Sequence, residues 1–125
     1  MAAHDNLRFG VDLVTFFHPG FWNLDSYDAI IDHAKSNSRA FWDKILDSIQ
    51  ASGVTGVELT FSPFNWQDAI KNYGSVQGFA DELAARGLQL ASGFFAELEA
   101  SGDFTEASAQ AAIVEKAEHY ADFIR

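Results

Sequence analysis

Apolar positions along this chain switch between a period near two and a period near 3.6, and the switches mark its elements. Residues 8–17 form a β-branched and aromatic run that stops at His18-Pro19-Gly20, which predicts a strand entering a loop. Over 25–35 the spacing becomes helical: Tyr27, Ile30, Ile31 and Ala34 share a face, and Asp25 or Ser26 can cap it. After the polar break Lys35-Ser36-Asn37-Ser38, a stronger stripe of Phe41, Trp42, Ile45, Leu46 and Ile49 predicts a helix over 39–52, closed by Gly53. A second strand is expected over 54–61, ending at Ser62-Pro63, and then a loop with a helical turn between Asn65 and Tyr73. Ser75 can cap a helix over 76–86, and Gly87 ends it. A third strand follows over 88–95, and Thr105 can cap a last helix over 106–124.

The order β-α-β-α-β-α, with an extra helix in the first connection, predicts an α/β domain spanning 1–125. Its strands should be parallel and ordered 1-2-3, joined by right-handed crossovers. A faint repeat supports this. Ser52-Gly53-Val54-Thr55-Gly56-Val57-Glu58-Leu59 and Arg86-Gly87-Leu88-Gln89-Leu90-Ala91-Ser92-Gly93 both run from helix end through glycine into a strand. Three such strands with helices on one face leave the other face and both edges open. In the second strand Val57, Leu59 and Phe61 alternate with Gly56, Glu58 and Thr60, so a carboxylate falls on the face away from the helices. A covering helical layer would bury that charge at considerable cost. The interior of a closed ring of strands accommodates it better. The last helix also reaches Arg125 without a Gly, Asn or Pro stop. The expectation is therefore a partial TIM barrel, the first three β/α units of a (β/α)8 fold.

Composition narrows the function classes. Apolar residues make up 48% of the chain, enough for a packed core, and no apolar run approaches the roughly 20 residues of a membrane span. The N-terminus lacks the pattern of a signal peptide, and there is no cysteine, which suits a cytoplasmic protein. The net charge of −10, with eight scattered Lys and Arg against eighteen Asp and Glu, disfavours nucleic acid as a partner. Glycine-rich nucleotide loops, nucleophile elbows and paired-histidine zinc motifs are absent.

The segments Phe41-Trp42-Asp43-Lys44-Ile45-Leu46, Ala51-Ser52-Gly53-Val54-Thr55-Gly56-Val57-Glu58-Leu59 and Phe79-Ala80-Asp81-Glu82-Leu83-Ala84-Ala85-Arg86-Gly87-Leu88-Gln89-Leu90 resemble the xylose-isomerase-like TIM-barrel superfamily of sugar phosphate isomerases and epimerases. They are similar to its first helix and second strand, and to its second helix leading into the third strand. The resemblance implies a carbohydrate or polyol substrate and proton abstraction next to a carbonyl. It also implies a divalent metal, Mn or Mg, held at the C-terminal mouth of the barrel by two Glu, one Asp and one His of later strands. None of those ligands, and no catalytic base, is assigned in this chain, so the fragment alone is expected to bind no metal and to be inactive. The alternative is a non-catalytic split-barrel subunit that associates with itself or complements a C-terminal partner. A nuclease of the same superfamily fits the acidic balance least.

In this fold the site lies where strands give way to loops at the C-terminal face. His18 is a candidate for hydrogen bonding a substrate hydroxyl or carbonyl, against a role in fixing the loop backbone. Trp22 is a candidate for stacking on a sugar ring, against simple packing. Glu58, and with it Asp12 of the first strand, is either a substrate-binding carboxylate or a structural one paired with a cation. Trp66 and Phe95 are candidates for an aromatic pocket wall, whereas Phe61 and Phe94 suit the core, with Phe64 nearby. His4 and His33 read as loop or solvated residues and His119 as a solvated helix position. Asp81-Glu82 and Glu115 with Glu118 read as solvated helix faces.

Overall fold

The computed structural model describes residues 7–97 and 101–125; His4 lies outside them. The chain forms two compact units, 1–93 and 94–125.

In the first unit β1 (Gly10–Asp12), β2 (Gly56–Leu59) and β3 (Gln89–Gly93) form one parallel sheet in the order β1-β2-β3, as the alternation predicts. The helices between them are α1 (Pro19–Trp22), α2 (Tyr27–Ser36), α3 (Ser38–Ser52), α4 (Trp66–Tyr73) and α5 (Val76–Ala85). The architecture is thus mixed α/β. The second unit holds α6 (Ala107–Ile124), whose N-cap is Glu106. Thr105 does not cap it, because its backbone N–H and hydroxyl both donate to Asp103 Oδ1.

The first strand is far shorter than its apolar run. Asp12 Oδ1 accepts from Val14 N–H at 2.9 Å, and the chain turns there into a 3-10 helix, Leu13–Phe16. A short acidic side chain offers the backbone a local partner that competes with the ladder. The loop beyond it also winds into a helix, α1, where His18 is the N-cap and Pro19 takes the first helical position. Elsewhere the capping chemistry follows the sequence. Ser26, Asn65 and Ser75 accept from the N–H groups of Ala29, Asp68 and Gly78. Gly53 and Gly87, the glycines of the repeat, both adopt positive φ, 81° and 68°.

The core is built from the stripes read in the sequence. Phe41, Trp42, Ile45, Leu46 and Ile49 of α3 are buried, together with Val57 and Leu59 of β2, Ile30 of α2 and Phe79 and Leu83 of α5. Phe41 is its aromatic centre, stacked on Trp22 with centroids 4.4 Å apart and on Phe64 at 5.6 Å. His33 edges onto the Trp22 ring at 5.4 Å and is half-buried, so it belongs to this cluster and not to a solvated face.

Charge is concentrated on the outside of α3 and α5. Arg86, whose side chain is 14% exposed, reaches Asp47 at 2.6 Å, Glu82 at 2.7 Å and Asp43 at 3.3 Å. Arg39 bridges Asp43 and Glu82 from the other side. Hydrogen bonds from Arg86 and then Arg39 hold the Glu82 carboxyl below its ordinary pKa. Burial opposes the charge on Arg86, but its bonds to Asp47 and Glu82 outweigh burial and raise its pKa. Burial, with the Asp43 carboxylate beside it, pushes the Tyr73 phenol well above its usual value, and its O–H donates to Asp43. Glu82 is thus tied into a network, contrary to its reading as a solvated position.

Helices α4 and α5 meet closely at Gly78, where an added Cβ would strike the backbone carbonyl oxygen of Tyr73. Alanine is favoured over glycine inside a helix by about 1 kcal/mol. A clash with main chain cannot be relieved by a rotamer change, and overpacking typically costs about 1–3 kcal/mol. Sterics should win. Gly78→Ala is expected to lower the urea midpoint; an unchanged or raised midpoint would show that the helices can part freely.

Candidate functional site at the C-terminal ends of the strands

The parallel register sets Gly10 beside Gly56 and Asp12 beside Glu58. On the other side Glu58 pairs with Ser92, because β3 carries one extra residue, Ala91, opposite the step from Val57 to Glu58. Neighbouring parallel strands lie about 4.8 Å apart, so Asp12, Glu58 and Ser92 form one polar row across the C-terminal ends. Ser92 Oγ donates to Glu58 Oε2. Among the described residues neither acid joins an ion pair.

The N-terminal end of the same face is nearly bare of side chains. A Cβ on Gly56 would lie 3.0 Å from both Gly10 Cα and the Phe9 carbonyl oxygen, and 3.2 Å from Ala91 Cβ. Ala91 and Ser92 are exposed and Glu58 is half-buried. This face therefore grades from small residues at one end to two carboxylates and a hydroxyl at the other. The opposite face carries Val57 and Leu59, both buried.

Aromatic rings gather in the segments that follow β1 and β2. Phe17 meets Tyr27 at 5.1 Å, Phe61 at 5.7 Å and Phe64 at 6.0 Å, the last two edge-on. Phe64 is fully buried beneath them, whereas Phe17 and Phe61 keep part of their surface. Phe61 is thus a rim residue more than the core residue its alternation suggests.

His18 is exposed, and its Nδ1 accepts from Gly20 N–H at 3.1 Å. That bond fixes the loop, the alternative role considered above. It also places the ring proton of the neutral imidazole on Nε2, which is left to donate outward. Trp22 is 8% exposed, its Nε1–H donates to the Phe16 carbonyl at 2.7 Å, Phe41 covers its ring, and Lys44 Nζ lies 5.0 Å from the ring centroid. Packing, not ring stacking with a ligand, occupies this indole. Trp66 opens α4 just beyond the β2 loop and is half-buried. Phe95 belongs to the second unit, where its ring meets Tyr120 at 5.7 Å, and Phe94 is 58% exposed. Ser92 was not singled out in the sequence; a hydroxyl near the C-terminal end of the third strand was the available signal. Phe17 was visible only as one of several aromatics in the loop.

Chemically, two carboxylates and a hydroxyl in a row offer hydrogen-bonding partners for the adjacent hydroxyls of a polyol. Among the described residues no three of His, Asp and Glu come together as a metal site. Asp12 accepts a capping hydrogen bond and Glu58 one from Ser92, and the ligands that the resemblance implies would come from later strands. No helix among the described residues is long and apolar enough to cross a membrane. Comparison with protein-family models, curated proteins and solved structures finds no match to this chain.

Proposed function

We propose that this chain supplies the first three β/α units of a TIM barrel of xylose-isomerase-like lineage, acting in the cytoplasm on a sugar or polyol. Its share of the work is binding. Glu58 and Asp12 accept hydrogen bonds from hydroxyls, Ser92 orients Glu58, His18 donates from Nε2, and Phe17 and Phe61 wall the site. Proton abstraction next to a carbonyl, and any Mn or Mg ion that assists it, would depend on strands other than these three. The observation that supports this reading is the Asp12–Glu58–Ser92 row at the strand ends, on the face away from the buried core.

Titration of the full chain with a ketose or an inositol, followed by backbone amide NMR, tests it. Weak binding is expected, with shifts gathered at Asp12, His18, Glu58 and Ser92, and Glu58→Gln should reduce it about tenfold, as for loss of one charge-assisted hydrogen bond. Shifts confined to other residues, or none at saturating polyol, would remove the proposed role of the row. Turnover by the chain alone with added manganese would show that no further strands are needed.

A second reading, a non-catalytic split-barrel subunit, draws on the exposure of Ala91 and Ser92 on that same face. It requires a stable dimer or a complex with a C-terminal partner in solution. A monomer that binds polyol favours the first reading.

A further inference from the structure

The first unit also holds a cavity of about 200 Å³ where α2, α3, α4 and the segment after β2 meet. It is too small for a drug-sized ligand and of a size for a single small ion or headgroup. Its lining carries two of the chain's eight basic residues, Lys35 and Lys71. The ion pairs among the described residues are made by Arg39, Arg86, Lys116 and Arg125; neither cavity lysine takes part. In a chain of net charge −10, two lysines line one cavity without forming an ion pair. That combination favours an anion.

The same lining includes one carboxylate, Asp68, and two hydroxyls, Ser38 and Ser62. Ser62 Oγ donates to Asp68 Oδ2 at 2.8 Å, and Oδ1 remains available to accept from a further donor. Ser38 Oγ donates to Asn72 Oδ1 at 2.9 Å, and Asn72 Nδ2 is a buried donor with no acceptor. Ser38 also opens α3, whose N-cap Asn37 makes no side-chain capping bond. The first-turn N–H groups of α3 meet the carbonyl ends of α2 and α4, whose last turns hold Lys35 and Lys71, so the helix ends oppose one another and the lysines carry the positive charge.

A carboxylate next to a bound anion repels it unless the anion carries a proton to donate. Hydrogen phosphate does so at neutral pH, and a phosphate monoester does so below about pH 6; sulfate carries no proton in either range. From the cavity, its two lysines and its single carboxylate, we propose that this is a phosphate site selective for a protonated phosphoryl oxyanion: Lys35 and Lys71 bind the charge, and Asp68 accepts a hydrogen bond from the P–O–H group. The site is separate from the polyol row and does not rest on the proposed function.

The test uses the full chain with inorganic phosphate and, separately, sulfate at constant ionic strength, read by amide shifts at Ser38, Ser62 and Lys71 and by calorimetry. Phosphate is expected to bind at least about tenfold more tightly than sulfate, since sulfate leaves the Asp68 acceptor unpaired against a negative ligand. Lys35→Gln and Lys71→Gln should each weaken phosphate about tenfold. Asp68→Asn should bring the two anions to similar affinity, because an amide donates to either. Both lysines are exposed, so their glutamine variants should fold, and matching amide spectra elsewhere check this. Equal binding of sulfate and phosphate by the parent chain would overturn the proposal. So would phosphate affinity unaltered in the double lysine variant, or no phosphate binding at all. Phosphate could bind here while polyol leaves the strand-end row untouched, so the two proposals fail separately.

Discussion

Phe41→Ala is expected to cost about 3–5 kcal/mol of folding stability, the range for removing a buried aromatic ring. Phe41 is fully buried and stacks on both Trp22 and Phe64, and His33 edges onto it at 6.0 Å. The cavity left behind would be lined by rings held from several directions. Trp22 is pinned by its bond to the Phe16 carbonyl, and Phe64 lies beneath Phe17 and Phe61, so the site cannot collapse cheaply. Each kilocalorie shifts the melting temperature of a unit this size by about 4–8 °C, so a fall of well over 10 °C should be seen by calorimetry. Phe41→Leu keeps much of the volume and should lose distinctly less. Equal losses for the two variants would mean that ring geometry, and not the volume filled, carries the stability of the site.

The second large effect is expected at Arg86. Its guanidinium is the common partner of Asp43, Asp47 and Glu82, and its side chain is 14% exposed. Arg86→Met keeps the aliphatic stem and removes the charge, leaving three carboxylates close together with Arg39 as the remaining cation among them. Breaking one side of a buried ion pair costs about 3–5 kcal/mol, and the partial exposure of the carboxylates should reduce this to about 2–3 kcal/mol near neutral pH. The pH dependence carries a definite sign. Glu82 holds its charge to lower pH in the folded chain than in the unfolded one, because Arg86 and Arg39 donate to it. Its contribution is therefore complete above the unfolded glutamate pKa of about 4.3, and it is lost as pH falls through the depressed folded value. Without Arg86 that depression shrinks. Urea midpoints measured from pH 7 down to pH 3 should show the parent and variant converging at the acid end. A constant gap across that range would mean that the loss comes from packing of the stem and not from charge.

How much of this was legible in the chain depends on distance along it. The α3 stripe was readable because each member lies within four residues of another, and Phe41, Trp42, Ile45, Leu46 and Ile49 are all buried. Strand order and direction followed from the same local alternation of elements. The site was legible only in part. Alternation placed Glu58 on the face away from the core, but alternation alone would set Ala91 beside it, and only the extra residue in β3 brings Ser92 there. Trp22 read as a loop aromatic because nothing local shows that a 3-10 turn and a short helix carry it onto Phe41. Glu82 has a local partner in Arg86, four residues on, but its other partner Arg39 lies 43 residues away, and Arg86 reaches Asp47 across 39. Such pairs exist only once the helices have packed.

The extra residue in β3 has a further effect on shape. An extra residue of this kind increases the local right-handed twist of the strand that carries it, adding at Ala91 to the twist every ladder already has. A fourth strand laid along its outer edge would meet a more twisted template and inherit that twist, and sheets that wrap around an axis are made with bulges of this kind.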